Sequence, residues 1–150
     1  MKRLQRLVLG LVAGLLAATG LAMTAQAPAQ AATCTSYQYG SGGSGQCVKE
    51  IQTMLNGITH AYGGRYPSSC GMVSTGYLTV DGSFGPRTLA KVKSFQRWEC
   101  LSADGIIGRN TWRELCFRAG QVSMGYSFSP AVERAAWNAA RRAGCAVEYP

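Results

Sequence analysis

Two stretches of the sequence align with each other without gaps: LTVDGSFGPRTL at residues 78–89 and LSADGIIGRNTW at residues 101–112. The offset is 23 residues, and five positions are identical: a leucine, an aspartate, two glycines and a threonine. Asp-Gly favours a tight turn, because the carboxylate accepts nearby backbone N–H groups and glycine tolerates a positive φ. We therefore predict two matching turns, each leading into a helix. The predicted turn residues are Asp81, Gly82, Gly85, Asp104, Gly105 and Gly108.

Apolar residues at helical spacing predict a helix after each turn. The first of these helices starts at Pro86, which suits a first helical position, and we expect it to expose Lys91 to solvent. A further helix is predicted before the turns, over residues 46–56, with Gly57 as its C-cap and Glu50 on its polar face. Together the three helices predict a small all-α bundle.

A fourth helix is predicted near the C-terminus. Ser129 is a good N-cap, Pro130 suits the first helical position, and Gly144 can supply the C-cap. Small residues on one face would allow this helix to lie close against the bundle. They are Val132, Ala136, Ala139 and Ala143.

The remaining segments lack a helical period. Residues 32–46, rich in Thr, Ser and Gly, are expected to form a flexible arm that is tied down only if Cys34 is bridged. Residues 58–77 are expected to form a long Tyr- and Gly-rich loop, and loops of this length in compact domains are often functional. Gln52 and Gln96 follow inward-facing apolar residues, so we expect them to bond the loops to the helices.

The first residues are typical of a secretory signal peptide. A basic start, an apolar stretch over residues 7–23 and small residues at Ala29-Gln30-Ala31 predict removal of residues 1–31. Removal would take away three basic residues and no acidic one, which changes the formal net charge from +8 to +5. Such a charge favours weak attraction to anionic surfaces such as wall polymers. The basic residues are scattered and the chain is exported, so we expect neither nucleic acid nor, after removal, a membrane as partner.

All six cysteines lie beyond this segment. An even number in a small exported chain predicts three disulfides formed in an oxidising compartment. Six cysteines permit 15 pairings, and the sequence does not choose among them. With one histidine and no Cys-x-x-Cys pair, the sequence predicts neither a metal site nor a cofactor. The cysteines are Cys34, Cys47, Cys70, Cys100, Cys116 and Cys145.

The repeat and its helices resemble the peptidoglycan-binding domain family, a small three-helix module appended to many bacterial cell-wall hydrolases. The resemblance rests on four patterns in order: VxxIQxxL at 48–55, DGxFGxxT at 81–88, VxxFQ at 92–96 and DGIIGxxTWxxL at 104–115. It implies a domain over residues 47–117. Residues 118–150, with the fourth predicted helix, are an addition to the family pattern, and we expect them to form a helical extension packed on the domain. The expected fold class is therefore all-α: a three-helix bundle with a pseudo-repeat, an added C-terminal helix and disulfides.

The resemblance implies a secreted, non-catalytic module that binds cell-wall peptidoglycan. Its expected partners are peptidoglycan, an associated wall polymer or a cell-wall enzyme, and its expected location is extracellular or wall-associated. Polysaccharide sites combine aromatic stacking with polar hydrogen bonds, and an arginine can also pair with a stem-peptide carboxylate. The candidate ligand contacts, all near the first turn, are Tyr77, Ser83, Phe84 and Arg87.

Two other functions remain open from the sequence. A wall hydrolase needs paired carboxylates, a metal-activated water or an activated nucleophile. Most of the seven acidic residues fall in turns or on predicted helix faces, so a hydrolase would depend on carboxylates assembled from distant positions. His60, the only histidine, is read as a loop residue rather than a catalyst. The third hypothesis is a disulfide-linked scaffold that binds a protein partner.

Overall fold

The computed structural model describes residues 33–64, 68–122 and 130–146, all within one compact unit. Its helices are, in chain order, a short 3-10 helix at Cys34–Ser36, α1 at Gln46–Tyr62, α2 at Pro86–Trp98, α3 at Arg109–Gln121 and α4 at Ala131–Ala143. The described residues include isolated β-bridges but no strand. The predicted all-α bundle with an added C-terminal helix is confirmed. The predicted signal peptide, residues 1–31, lies outside the described ranges.

Helix α1 is the central element, because it contacts each of the other three helices. Its inner face contributes Val48, Ile51 and Leu55 to the core, each at most 1% exposed. Phe84 and Ile107, which occupy equivalent positions of the two turns, are also only 1% exposed. The repeat therefore places one large apolar side chain from each turn into the same core cluster. None of the helices in the described ranges is long and apolar enough to cross a bilayer.

Gly57 lies inside α1 and is not its C-cap. The helix continues to Tyr62, so the loop predicted to start at residue 58 begins at Gly63. A Cβ atom built on Gly57 would lie only 2.2 Å from the Cβ of Ala136 on α4. The missing side chain thus allows α4 to approach, and the contact between α1 and α4 is the most extensive of the helix pairs.

Helix α4 begins one residue later than predicted. Its N-cap is Pro130, which we expected at the first helical position, and the predicted N-cap Ser129 lies outside the described residues. Gly144 ends the helix in the left-handed conformation, with a φ of 92°, as predicted. Of the small-residue face predicted to pack on the bundle, Ala136, Ala139 and Ala143 are fully buried and Val132 is half-buried; Ala140, which was not predicted, is also fully buried.

Glu50, predicted to lie on the polar face of α1, is only 2% exposed. Its carboxylate accepts hydrogen bonds from Arg142 of α4, at 2.9 Å from Nε and 2.7 Å from Nη2. Burial acts to raise the pKa of Glu50, but the hydrogen bonds from Arg142 and Gln46 outweigh it and hold the pKa below its usual value. The prediction of exposure was wrong because this partner comes from a helix far along the chain.

The predicted arm, residues 32–46, is described from residue 33, and its Cys34 is bridged, the condition under which we expected it to be tied down. It is also bonded to both turns. Tyr39 exchanges backbone hydrogen bonds of 3.2 and 2.8 Å with Ile107, and Phe84 bonds to the backbone of Gly42 and Gly43. The Trp112 indole donates to a carbonyl of the arm at 2.9 Å. The arm is therefore held against the domain by bonds to both turns.

The six cysteines form the three predicted disulfides. Each cysteine is bonded to its neighbour in the sequence: Cys34–Cys47, Cys70–Cys100 and Cys116–Cys145. The first bridge joins the arm to α1, and the second joins the segment before the first turn to the end of α2. The third joins α3 to the residue just beyond α4. The bridges thus fix the segments that the helix core does not hold by itself.

Candidate functional site

The two Asp-Gly turns have the same geometry. Asp81 Oδ1 accepts the backbone N–H of Ser83 at 2.8 Å, and Asp104 Oδ1 accepts that of Ile106 at 2.8 Å. The glycines that follow the aspartates have φ values of 79° and 81°, in the left-handed region that favours glycine. Each turn is thus closed by its own aspartate.

A buried glutamine fixes each turn to a helix. Gln52 Nε2 donates to Asp81 Oδ1 at 2.9 Å and to Thr88 Oγ1 at 3.1 Å. It also donates to the carbonyl of Ser83 at 3.0 Å, and its Oε1 accepts the N–H of the glycine after the aspartate at 2.9 Å. Gln96 makes the same four bonds to the second turn, at 2.8 to 3.1 Å. Both glutamines therefore bond a loop to a helix.

The hydrogen bonds hold the pKa of both turn carboxyls below the usual aspartate value. For Asp81 the largest cause is the amide of Gln52, and for Asp104 it is the backbone N–H of Ile106. Both aspartates are exposed. Each turn therefore presents a carboxylate that stays charged at neutral pH and whose position is set by its bonds to the glutamine and the backbone.

A cleft of about 390 Å³ opens beside the first turn, and we call it the first cleft. Asp81, Ser83 and Arg87 line it and are exposed, whereas Gln52 and Thr88 line it and are buried. The buried residues belong to the hydrogen-bond network of the turn. The exposed ones leave a carboxylate, a hydroxyl and a guanidinium available to a ligand.

A neighbouring depression of about 290 Å³ extends the first cleft, because both are lined by Leu78 and Arg87. Tyr77 lines this extension and is 58% exposed. The structure thus brings Tyr77, Ser83 and Arg87, three of the four predicted ligand contacts, to two adjoining depressions, which we together call the groove.

Phe84, the fourth predicted contact, does not reach the groove. Its side chain is 1% exposed and belongs to the core cluster. A side chain buried to this extent offers no surface to a ligand, so the structure corrects the assignment of Phe84 as a ligand contact. Phe84 instead anchors the first turn in the core.

A cleft of about 300 Å³ lies beside the second turn, and we call it the second cleft. Its lining includes Asp104, Ile106, Arg109 and Asn110, together with Gln38 from the arm. None of these residues was predicted to contact a ligand. The gapless alignment of the two turns was the signal that could have identified them.

Lys91 of α2, predicted to face solvent, is 4% exposed. Its Nζ donates to Thr59 Oγ1 and to the carbonyl of Ser74, both at 2.8 Å. The lysine therefore bonds α1 and the segment before the first turn to α2, at the edge of the groove extension. Burial lowers the pKa of its ammonium group to about 8.

The titration of Lys91 predicts that stability rises with pH. Between pH 8 and 10 the folded chain releases this proton while the unfolded chain keeps it, so the free energy of unfolding should rise by about 1 kcal/mol per pH unit. In the Lys91→Met variant the free energy of unfolding should not show this rise with pH, because methionine does not titrate. Urea unfolding of both proteins across this interval, with disulfides intact, measures the difference, and equal slopes would contradict the assignment.

The other described carboxylates bond to basic side chains or to His60. Ion pairs join Glu50 to Arg142, Glu99 to Arg118 and Glu114 to Arg113, and Glu133 is hydrogen-bonded to Nδ1 of His60 at 2.9 Å. His60 lies in α1, not in a loop as predicted. No group of three or more potential metal ligands occurs among the described residues, and Glu148 lies outside them.

Comparison with known proteins identifies similarity across the repeat. Residues 44–115 match the model of a family described as putative peptidoglycan binding domain. The chain is 35% identical over 74 residues to a zinc D-Ala-D-Ala carboxypeptidase of Streptomyces albus G, and 50% identical over 42 residues to an uncharacterized protein in the bpoA1 3' region of Kitasatospora aureofaciens. These alignments cover 49% and 28% of this chain, but only 24% and 36% of the two relatives.

Proposed function

We propose that this chain, whose residues 44–115 belong to the putative peptidoglycan binding domain family, is a secreted, non-catalytic module that holds cell-wall peptidoglycan. The observation that carries the proposal is the groove of the first cleft and its extension, beside the first Asp-Gly turn of that domain. Two adjoining, open depressions suit an extended polymer better than a single enclosed pocket would.

The exposed side chains of the groove match the chemistry of a peptide-substituted glycan. The Arg87 guanidinium can donate paired hydrogen bonds to a stem-peptide carboxylate. Tyr77 offers an exposed aromatic ring to a sugar face, and Ser83 offers a hydroxyl to its polar edge. The turn itself is rigid, because Asp81 is bonded to Gln52, so little ordering is needed on binding.

The three disulfides and the family suit an extracellular or wall-associated location, where thiols are oxidised. The predicted export signal fits the same location. The relative from Streptomyces albus G is a carboxypeptidase, so a cell-wall enzyme is a reasonable partner or fusion companion for such a module. In this chain the described carboxylates bond to turns or basic side chains, which favours a structural role for them.

Sedimentation with purified, insoluble peptidoglycan tests the proposal. The wild-type protein should pellet with the wall, and Arg87→Ala should weaken its affinity about tenfold, the effect of losing one charge-assisted contact. Arg97→Ala is the matched control, because Arg97 is also exposed on α2 but lies at the opposite end of the helix. A wild-type protein that stays in the supernatant at low salt would overturn the proposal.

Two parallel assays address the alternative functions. A hydrolase with carboxylates assembled from distant positions would clear a suspension of walls, and Glu→Gln variants would abolish the clearing. A scaffold for a protein partner would co-purify with a specific protein while failing to sediment with the wall. We expect no clearing, and we expect retention on the wall.

A further inference from the structure

The second Asp-Gly turn carries a cleft equivalent to the first. Each of the nine residues that line the first cleft has a counterpart lining the second cleft. Eight counterparts lie 23 residues further along the chain, including Asp104 for Asp81 and Asn110 for Arg87, and Gln96 replaces Gln52. The repeat has therefore duplicated the concave surface together with the fold of the turn.

We propose that the second cleft is a second binding site for the same repeating unit of the wall, so that one domain holds two units of the polymer. This inference rests on the proposed function. The hydrogen-bond network explains why the glutamine, the aspartate and the threonine recur, but it does not require an open cleft lined by exposed residues. Arg109 and Asn110 take no part in that network and are exposed at the second cleft.

Both clefts offer the same kinds of groups to a ligand. Each combines an exposed aspartate with an arginine in the first turn of the following helix, Arg87 in α2 and Arg109 in α3. Exposed apolar surface lies at each turn, with Val80 43% and Ile106 45% exposed. The guanidinium suits a carboxylate and the carboxylate suits a hydroxyl or amide N–H. A sugar-peptide unit with a free carboxylate carries all of these groups.

The second cleft is more amide-rich than the first. Asn110 takes the place of the guanidinium of Arg87, and the side chain of Gln38 from the arm completes the lining. Amides both donate and accept, so they add hydrogen-bonding capacity to the one arginine that each cleft contains.

The two clefts are held near each other by the arm. Tyr39 pairs with Ile107 of the second turn, and Ser44 pairs with Ser83 of the first. Because the five residue steps between Tyr39 and Ser44 span at most about 17 Å, the turns lie side by side along this segment. Two neighbouring sites on a rigid domain can engage one polymer or adjacent strands, and the second contact then forms at a high effective concentration.

A soluble disaccharide-tetrapeptide from digested peptidoglycan provides the test. Calorimetry should give two ligands per wild-type chain, and backbone NMR shifts should move at both turns. Arg87→Ala and Arg109→Ala should each weaken one of the two binding events about tenfold, with the reduced shifts confined to the altered turn. Arg113→Ala, an exposed position on α3 outside the second cleft, should still bind two.

Sedimentation separates the inference from the function on which it rests. Arg109→Ala should lower the apparent affinity for insoluble peptidoglycan about tenfold, and the Arg87→Ala/Arg109→Ala double variant should no longer sediment. If Arg109→Ala binds walls as Arg113→Ala does, or if one ligand binds with shifts at the first turn only, the second site is wrong while the proposed function stands. If the wild-type protein binds neither ligand nor wall, both are wrong.

Discussion

The substitution Gly57→Leu should lower the free energy of unfolding by about 4 kcal/mol, at the upper end for overpacking of a core. The Cβ alone would lie 2.2 Å from the Cβ of Ala136 and 3.2 Å from the backbone oxygen of Val132. The helix backbone of α4 cannot yield by rotating a side chain. Because Cys116–Cys145 keeps α4 attached, we expect a loosened α4 contact and a lower thermal midpoint, measured with disulfides intact.

Alanine at the same position separates packing from helix propensity. On propensity alone, Gly57→Ala would stabilise α1 by about 1 kcal/mol. We expect net destabilisation by about 2 kcal/mol instead, since the new methyl group overlaps Ala136. Adding Ala136→Gly should recover part of the loss, and a double-mutant cycle measures this coupling. A rise in the thermal midpoint of Gly57→Ala would contradict the packing role.

The substitution Gln96→Leu should lower the free energy of unfolding by about 3 to 5 kcal/mol. It removes all four hydrogen bonds that fix the second turn and leaves the buried N–H of Gly105 without its partner. Each unsatisfied buried group costs about 1–3 kcal/mol. Denaturant unfolding should show a lower midpoint, and Gln38→Leu, at an exposed glutamine, should change stability by less than about 0.5 kcal/mol.

The variant Gln96→Glu keeps the size of the side chain and tests the donor role of the amide. It would place a second carboxylate against Asp104 and against the carbonyl of Ile106. The repulsion raises the pKa of the introduced carboxyl, so this variant should become relatively more stable as the pH falls and the group protonates. If the stability of this variant depends on pH as that of the wild-type protein does, the amide N–H bonds contribute little to stability.

Short patterns of adjacent residues predicted the turns and the helix ends, which depend on backbone conformation. The Asp-Gly pairs predicted both turns, because the left-handed φ that glycine permits is required where each turn forms. Pro86 predicted the start of α2, and Gly144 predicted the end of α4. The family resemblance added the order of the helices. Such features need only a few adjacent residues, so they can be read from the sequence.

Most of the failures concern residues whose environment is set by a distant segment. Lys91 and Glu50 fall at positions where helical periodicity expects solvent, but partners from α1 and α4 bury them. Gly57 resembles a helix terminator until α4 is seen to pack on it. The residues that line the second cleft were not predicted, for a different reason. The turns were compared for their shared backbone geometry, and Arg109 and Asn110 differ from their counterparts in the first turn.

The order of the disulfides has a consequence for how the protein is made. The first cysteine is bonded to the second, the third to the fourth and the fifth to the sixth, so no bridge interleaves with or encloses another. In a chain that crosses a membrane N-terminus first, each pair is complete before the next pair begins to emerge. Oxidation in order of emergence then yields the native pairing directly. We expect maturation of this protein to require a thiol oxidase but not a disulfide isomerase.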